Sequence, residues 1–228
     1  MKDGIIIKGI SGFYYVEVGQ DLYECKARGI FRKKGLSPLV GDRVAISIID
    51  EADKKGNIEK IYERKSELVR PPIANVDKVL ITFSVKEPNP NMVLLDRFIV
   101  FSEKENLDIR IILTKVDLDE DGTIVDRIVS DYGRIGYKVI PVSVETGQGV
   151  DQVRQELEGC ISVFAGQSGV GKSSILNAIE PGFKIDTAEI SQKLGRGKHT
   201  TRHSELYKLG PNAIVADTPG FSSFELTD

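Results

Sequence analysis

Gly166-Gln167-Ser168-Gly169-Val170-Gly171-Lys172-Ser173 fits the pattern G-x-x-x-x-G-K-[ST]. Glycines at these steps let a backbone turn sharply and aim its N–H groups at phosphate oxygens. Lys172 would reach the β- and γ-phosphates, and the Ser173 hydroxyl would hold Mg²⁺; Ser174 falls in the same turn. The context agrees: "CISVFAG" reads as a strand before the loop and "KSSILNAI" as a helix after it, whose N-terminus favours anions. Further on, Asp217-Thr218-Pro219-Gly220 follows the apolar run "NAIVA". In isolation D-T-P-G is only a good turn. At a strand end downstream of a phosphate loop it fits D-x-x-G, with Asp217 toward Mg²⁺ and the Gly220 N–H toward a γ-phosphate.

A second pair of turns addresses a base. Thr114-Lys115-Val116-Asp117 ends the apolar run "IRIILT". The Asp117 carboxylate can accept from both N1–H and N2–H₂ of guanine, a pair adenine cannot supply. The Lys115 stem would pack over the base, and Thr114 would tie the turn to the phosphate loop. Ser143-Val144-Glu145, after the next strand-like run, resembles a second guanine-contacting turn, with the Val144 N–H donating to O6. The order along the chain is unusual, because the base turns precede the phosphate loop. A fold whose natural termini lie close together tolerates such a cut and rejoining. The order therefore reads as an α/β P-loop GTPase fold that is circularly permuted, with every site at the carboxyl ends of parallel strands.

The elements that must carry these turns follow from periodicity. "KVLITFSV", "IRIILT", "KVIPVSV" and "CISVFAG" are near-continuous apolar runs alternating with the helical patterns "MVLLDRFIVFSEKE", "DGTIVDRIVSDYGRI" and "VDQVRQELEG". That alternation implies a parallel sheet covered on both faces. "HSELYKLG" and "NAIVADT" add two more strands. Before them, "IIIKGI", "FYYVEV", "LYECKA", "RVAISII" and "NIEKIYE" are five short strands separated by turn signals. They suit a small closed all-β barrel of the OB or SH3-like kind. Such a barrel either binds oligonucleotides or only docks on a neighbouring domain. "RKSELVRPPIANVDK", with Pro71-Pro72, reads as the junction, which sets the domains at residues 1–66 and 67–228.

Composition narrows the class. Of 228 residues, 40% are hydrophobic and 29% charged, an ordinary globular balance, and no apolar run approaches the length of a membrane span. Cys25 and Cys160 suggest no disulfide framework, and with His199 and His203 as the only histidines no zinc spacing exists. A reducing cytoplasm is the expected home. The net charge of −3 argues against a general nucleic-acid binder, yet two acid-free basic runs stand out. One carries Lys26, Arg28, Arg32, Lys33 and Lys34, the other Arg196, Lys198 and Arg202. Either run contacts phosphate backbones or is a solvated loop.

A small barrel followed by TKxD, "GQSGVGKSSILN", "GRGKHTTRH" and DTPG resembles the ribosome small-subunit-dependent GTPases, the RsgA family (also called YjeQ or YloQ). The resemblance covers nearly the whole chain. It implies a GTPase that binds the 30S subunit late in its maturation and leaves on hydrolysis, with the OB barrel on 16S rRNA. Members carry a further C-terminal zinc domain; this sequence shows no such Cys/His cluster, so no zinc is expected, and a monomer is. The residue after Asp-Thr-Pro-Gly is Phe221, which cannot orient an attacking water as a glutamine there would. His199, at the family's switch-I histidine position, is the candidate for that role; the alternatives are an exposed loop residue or an rRNA contact. Thr200 or Thr201 should meet Mg²⁺ in the GTP state, and Thr201 is preferred. Two other readings stand beside this one: an ATPase with the same phosphate chemistry, and an RNA-binding module regulated by nucleotide with negligible turnover.

Overall fold

Alternating short strands close on themselves in the N-terminal part of the chain. The computed structural model describes residues 1–33, 35–69, 72–181, 205–210 and 212–217, with Arg32, Lys33 and Asp217 through their backbone only. Strands β1 (Lys2–Ile10), β2 (Phe13–Val18) and β3 (Asp21–Ala27) form an antiparallel meander. A short helix, α1 (Gly29–Lys33), follows within the basic run. Strands β4 (Arg43–Asp50) and β5 (Lys55–Ile61) form a hairpin; β5 pairs parallel to β3, and β4 pairs antiparallel to β1. The β1-β2-β3-β5-β4-β1 circuit is a closed five-stranded barrel, the OB-type fold expected from the sequence. Ile6, Val16, Tyr23, Cys25, Val44, Ile46 and Ile58 fill it with no exposed surface. Each fully buried aliphatic side chain there contributes about 1.5–3 kcal/mol of transfer free energy.

Residues beyond the fifth strand belong to the same compact unit, which runs through Val76. The hairpin β6 (Glu67–Val69) and β7 (Pro72–Ala74) was not expected from the sequence. Buried Asn75 fastens it: its Nδ2 donates to the Gly41 carbonyl at 2.9 Å, and its Oδ1 accepts from the Lys65 N–H at 2.9 Å.

The second unit starts at Asp77. Strands β8 (Lys78–Ser84), β9 (Asp108–Thr114), β10 (Lys138–Val142) and β11 (Ile161–Ala165) pair in parallel. With β12 (Glu205–Leu209) and β13 (Ala213–Asp217) the order is β10-β9-β8-β11-β13-β12. Burial on both faces explains why β11 is mostly apolar and why even Thr82 and Ser84 of β8 are buried. Helix α2 (Met92–Lys104) starts where the Asn91 side chain accepts from the Leu94 N–H at 3.1 Å, and it buries Leu95, Phe98, Ile99 and Ser102. Helices α3 (Thr123–Arg134), α4 (Val150–Leu157) and α5 (Lys172–Ile179) likewise turn one apolar stripe inward. Glu156 of α4 ties together the amino ends of three strands, accepting from Lys78 at 2.8 Å, Arg110 at 2.7 Å and Lys138 at 2.6 Å. Burial pushes its carboxyl up, but these three donors outweigh burial and hold it down at about 2. Among the described residues no helix is long and apolar enough to cross a membrane.

Candidate nucleotide site

Three turns converge at the carboxyl ends of the parallel strands. The first leaves β11. Gly166 adopts a φ of +137°, and a Cβ built there would lie 2.1 Å from the Thr82 carbonyl oxygen of β8. The loop can only cross the sheet edge this closely if residue 166 has no side chain. Gly166→Ala is therefore expected to misplace the loop and abolish detectable nucleotide binding by isothermal titration, with far-UV circular dichroism retained. Val170 is buried, Gly171 (φ +98°) precedes the first turn of α5, and Ser173 is half-buried within that turn. Ser168 and Ser174 are exposed, and Gln167 is half-buried.

Lys172 occupies the mouth of this loop. Its Nζ donates to the carbonyls of Gly166 and Gln167, both at 2.6 Å. Burial alone pushes its ammonium down to about 8. A cation held against loop carbonyls at the start of a helix is suited to polyphosphate oxygens. A serine hydroxyl and an aspartate carboxylate are the hard oxygen donors that Mg²⁺ takes, so the Ser173 and Asp217 residue types fit that ion. Among the described residues no group of three or more His, Cys, Asp or Glu side chains could hold a metal on its own.

The second turn leaves β9. Thr114 is buried, and its hydroxyl donates to the Val170 carbonyl of the phosphate loop at 2.6 Å. Lys115 follows in the left-handed region (φ 57°), then the single-turn helix Val116–Leu118 buries Val116 and leaves Asp117 exposed. Asp119 anchors the far side, its Oδ2 accepting from the Val125 N–H at 2.8 Å. The third turn leaves β10. Ser143 is fully buried, its N–H donating to the Gln148 carbonyl at 3.0 Å and its hydroxyl accepting from the Thr146 N–H at 3.2 Å. Val144 stands out at the tip.

One neighbour of these turns was absent from the sequence reading. The loop between β8 and α2, residues 85–91, touches two of them. Pro88 Cδ lies 4.0 Å from a Cβ built on Gly169, and Lys115 Nζ donates to the Glu87 carbonyl. Its only sequence signal was the Pro88-Asn89-Pro90 cluster following an apolar strand. His199, Thr200, Thr201, Arg196, Lys198, Arg202 and Gly220 lie outside the described residues.

The basic run in the barrel is less uniform than its composition. Arg28 is paired with Glu59 at 2.6 Å, and Glu59 also accepts from the Ser47 hydroxyl. Lys26 is exposed with its ammonium 5.1 Å from the centre of the Phe13 ring, a cation beside an aromatic face. Lys34 lies outside the described residues, as do the side chains of Arg32 and Lys33.

Known proteins share this arrangement. The family model described as RsgA GTPase matches residues 61–227, and the one described as RsgA N-terminal domain matches residues 3–58. A curated relative from Alkaliphilus metalliredigens, named small ribosomal subunit biogenesis GTPase RsgA, is 50% identical over 99% of this chain and 77% of its own length. One of the same name from Ruminiclostridium cellulolyticum is 51% identical over 100% of this chain and 75% of its own. Among solved structures, YjeQ from Thermotoga maritima superposes with a TM-score of 0.82 at 36% identity, covering 97% of this chain and 75% of that one. YloQ, described as a circularly permuted GTPase, superposes at 0.76 with 42% identity, covering 99% and 74%. A barrel followed by a permuted P-loop domain, matched by the two family models over residues 3–58 and 61–227, places this chain in the RsgA GTPase family.

Proposed function

We propose that the chain hydrolyses GTP to GDP and phosphate and acts in biogenesis of the small ribosomal subunit, which stimulates its turnover. The Thr114 hydroxyl bond to the Val170 carbonyl carries the reading, because it joins a guanine-type turn directly to a phosphate-binding loop. Names shared by relatives at about half identity support the ribosomal role.

In this reading the backbone N–H groups of residues 166–173 and the Lys172 ammonium hold the β- and γ-phosphates, while Asp117 and the Val144 N–H read the guanine edge. Ser173, Asp217 and Thr201 would hold Mg²⁺, which neutralises charge on the transferred phosphoryl group when bound. The Gly220 N–H meets the γ-phosphate, and His199 orients the attacking water in place of the glutamine that Phe221 replaces. The barrel contacts 16S rRNA, with Lys26, Arg28, Arg32, Lys33 and Lys34 as phosphate contacts and Arg196, Lys198 and Arg202 assisting from the switch. Arg28 would have to exchange Glu59 for phosphate, so Lys26 is the stronger candidate of the two. We place the protein in the cytoplasm as a monomer, and assign no zinc to this chain.

The test is GTP turnover by this chain alone, with purified 30S subunits, and with 50S subunits as control. Turnover should be slow alone and rise at least about tenfold with 30S only. Equal stimulation by 50S, or preference for ATP, would remove the ribosomal or the guanine assignment respectively. His199→Ala should lose the stimulated rate; if it keeps that rate, water positioning belongs to another group.

A further inference from the structure

We infer that the 85–91 loop is a positioning element for the purine, acting through Lys115; this rests on the guanine reading above. Sheet order makes the placement unavoidable. Strand β8 lies between β9, which ends in the base turn, and β11, which ends in the phosphate loop. Whatever leaves β8 must pass between the two turns that hold opposite ends of a nucleotide.

Three contacts fix the loop there. The Val85 N–H donates to the Thr114 carbonyl at 3.1 Å. The hydroxyl of Ser84, almost wholly buried, donates to the Pro88 carbonyl at 2.9 Å. That folds the segment back so that the neighbouring Glu87 carbonyl faces Lys115, whose ammonium donates to it. Lys115 is thus fastened at both ends: its backbone by the left-handed turn after Thr114, its ammonium by the loop.

A lysine stem is four methylenes with large rotamer freedom, and an untethered one costs binding free energy when it must be ordered against a base. Holding its tip beforehand turns the stem into a rigid apolar bar. Ser84 is therefore a positioning residue: it holds the loop, the loop holds Lys115, and Lys115 offers the surface. An apolar surface does not distinguish one purine edge from another, which remains the task of Asp117. The chain of contacts predicts that Ser84 and Lys115 act as one unit.

The experiment is calorimetric titration of this chain with GDP and with IDP, which lacks the guanine 2-amino group. Variants are Ser84→Ala, Lys115→Met (which keeps an apolar stem and loses the ammonium), Lys115→Arg, and the double Ser84→Ala/Lys115→Met. Each of the first two should weaken GDP about five- to twentyfold, the range one hydrogen-bonded tether commands, and weaken IDP by the same factor. Lys115→Arg, which restores a donor, should recover most of the affinity. The double variant should bind within about twofold of the weaker single one, because both changes cut the same link. The inference is overturned if Ser84→Ala binds as wild type, if the two losses multiply, or if the GDP/IDP ratio moves with the loop. Should Ser84→Ala fail to fold, Lys115→Met decides, since its exposed ammonium has no part in the core; wild-type affinity there also overturns the inference. ADP separates this failure from that of the underlying reading. Wild-type protein binding ADP as tightly as GDP removes guanine recognition itself; preference for GDP with silent loop variants removes only the tether.

Discussion

Lys172→Ala is expected to lower kcat/KM for GTP by about 10²- to 10³-fold, measured as phosphate release at saturating 30S subunits, with GDP affinity falling less. The reason is where the charge is held. The ammonium already sits in the loop on the Gly166 and Gln167 carbonyls, so a nucleotide finds it in place. Burial pushes it down to about 8, and phosphate oxygens would favour its charged form again. The sign of the linkage follows. Below about pH 8 Lys172 is charged with or without nucleotide, and affinity is independent of its titration. Above about pH 8 the free protein has lost the proton that the complex keeps, so binding takes one up and affinity falls by as much as about tenfold per pH unit. Titration of GDP between pH 7 and 9 in buffers of different ionisation enthalpy measures the uptake directly. Wild type should show it growing across that window, and Lys172→Ala should lack it. Uptake that is equal in both proteins would place the titrating group elsewhere.

Arg64→Ala should strongly destabilise the N-terminal unit, by about 3–5 kcal/mol in denaturant unfolding. Asp42 has no exposed surface, and its carboxylate is satisfied by the Leu39 N–H at 2.7 Å and by Arg64 Nε and Nη2 at 2.7 and 2.8 Å. Arg64 Nη2 also donates to the Ser37 carbonyl at 2.7 Å, closing the segment before β4. The hydrogen bonds it donates to Asp42 outweigh burial and raise the guanidinium further, so it stays charged at any working pH. Removing it strands a buried carboxylate with one donor. Glu67, which meets the same arginine at 2.6 Å, is more than half exposed. Its replacement by alanine should cost less than about 1 kcal/mol, since water replaces what is lost. Comparable losses from the two variants would show that the buried pair is not what holds this corner.

Much of the site is written locally. A phosphate loop is a run of neighbours whose glycines, lysine and serine specify both the turn and the charge, and the same holds for Thr114–Asp117. Helix α5 begins and ends where "KSSILNAI" does, because a left-handed glycine before it and an apolar stripe within it are local properties. The order of those turns along the chain was enough to read a permutation. The five barrel strands were equally legible from alternation and turn residues.

What the tertiary structure decided depends on segments far apart in the chain. The β6–β7 hairpin is held to the segment before β4 by Asn75 Nδ2 on the Gly41 carbonyl and the Ala74 N–H on the Val40 carbonyl, contacts no local pattern encodes. Arg28 reads as a free cation in a basic run, yet it is neutralised by Glu59 on a neighbouring strand. Composition counts charges but does not pair them. The 85–91 loop carries no motif, and it stands beside the Thr114–Asp117 turn and the phosphate-type loop only because β8 lies between β9 and β11. Strand order is set by which strand edges pair through their backbones in three dimensions, so the sequence determined the chemistry of each turn and the sheet alone determined what stands between them.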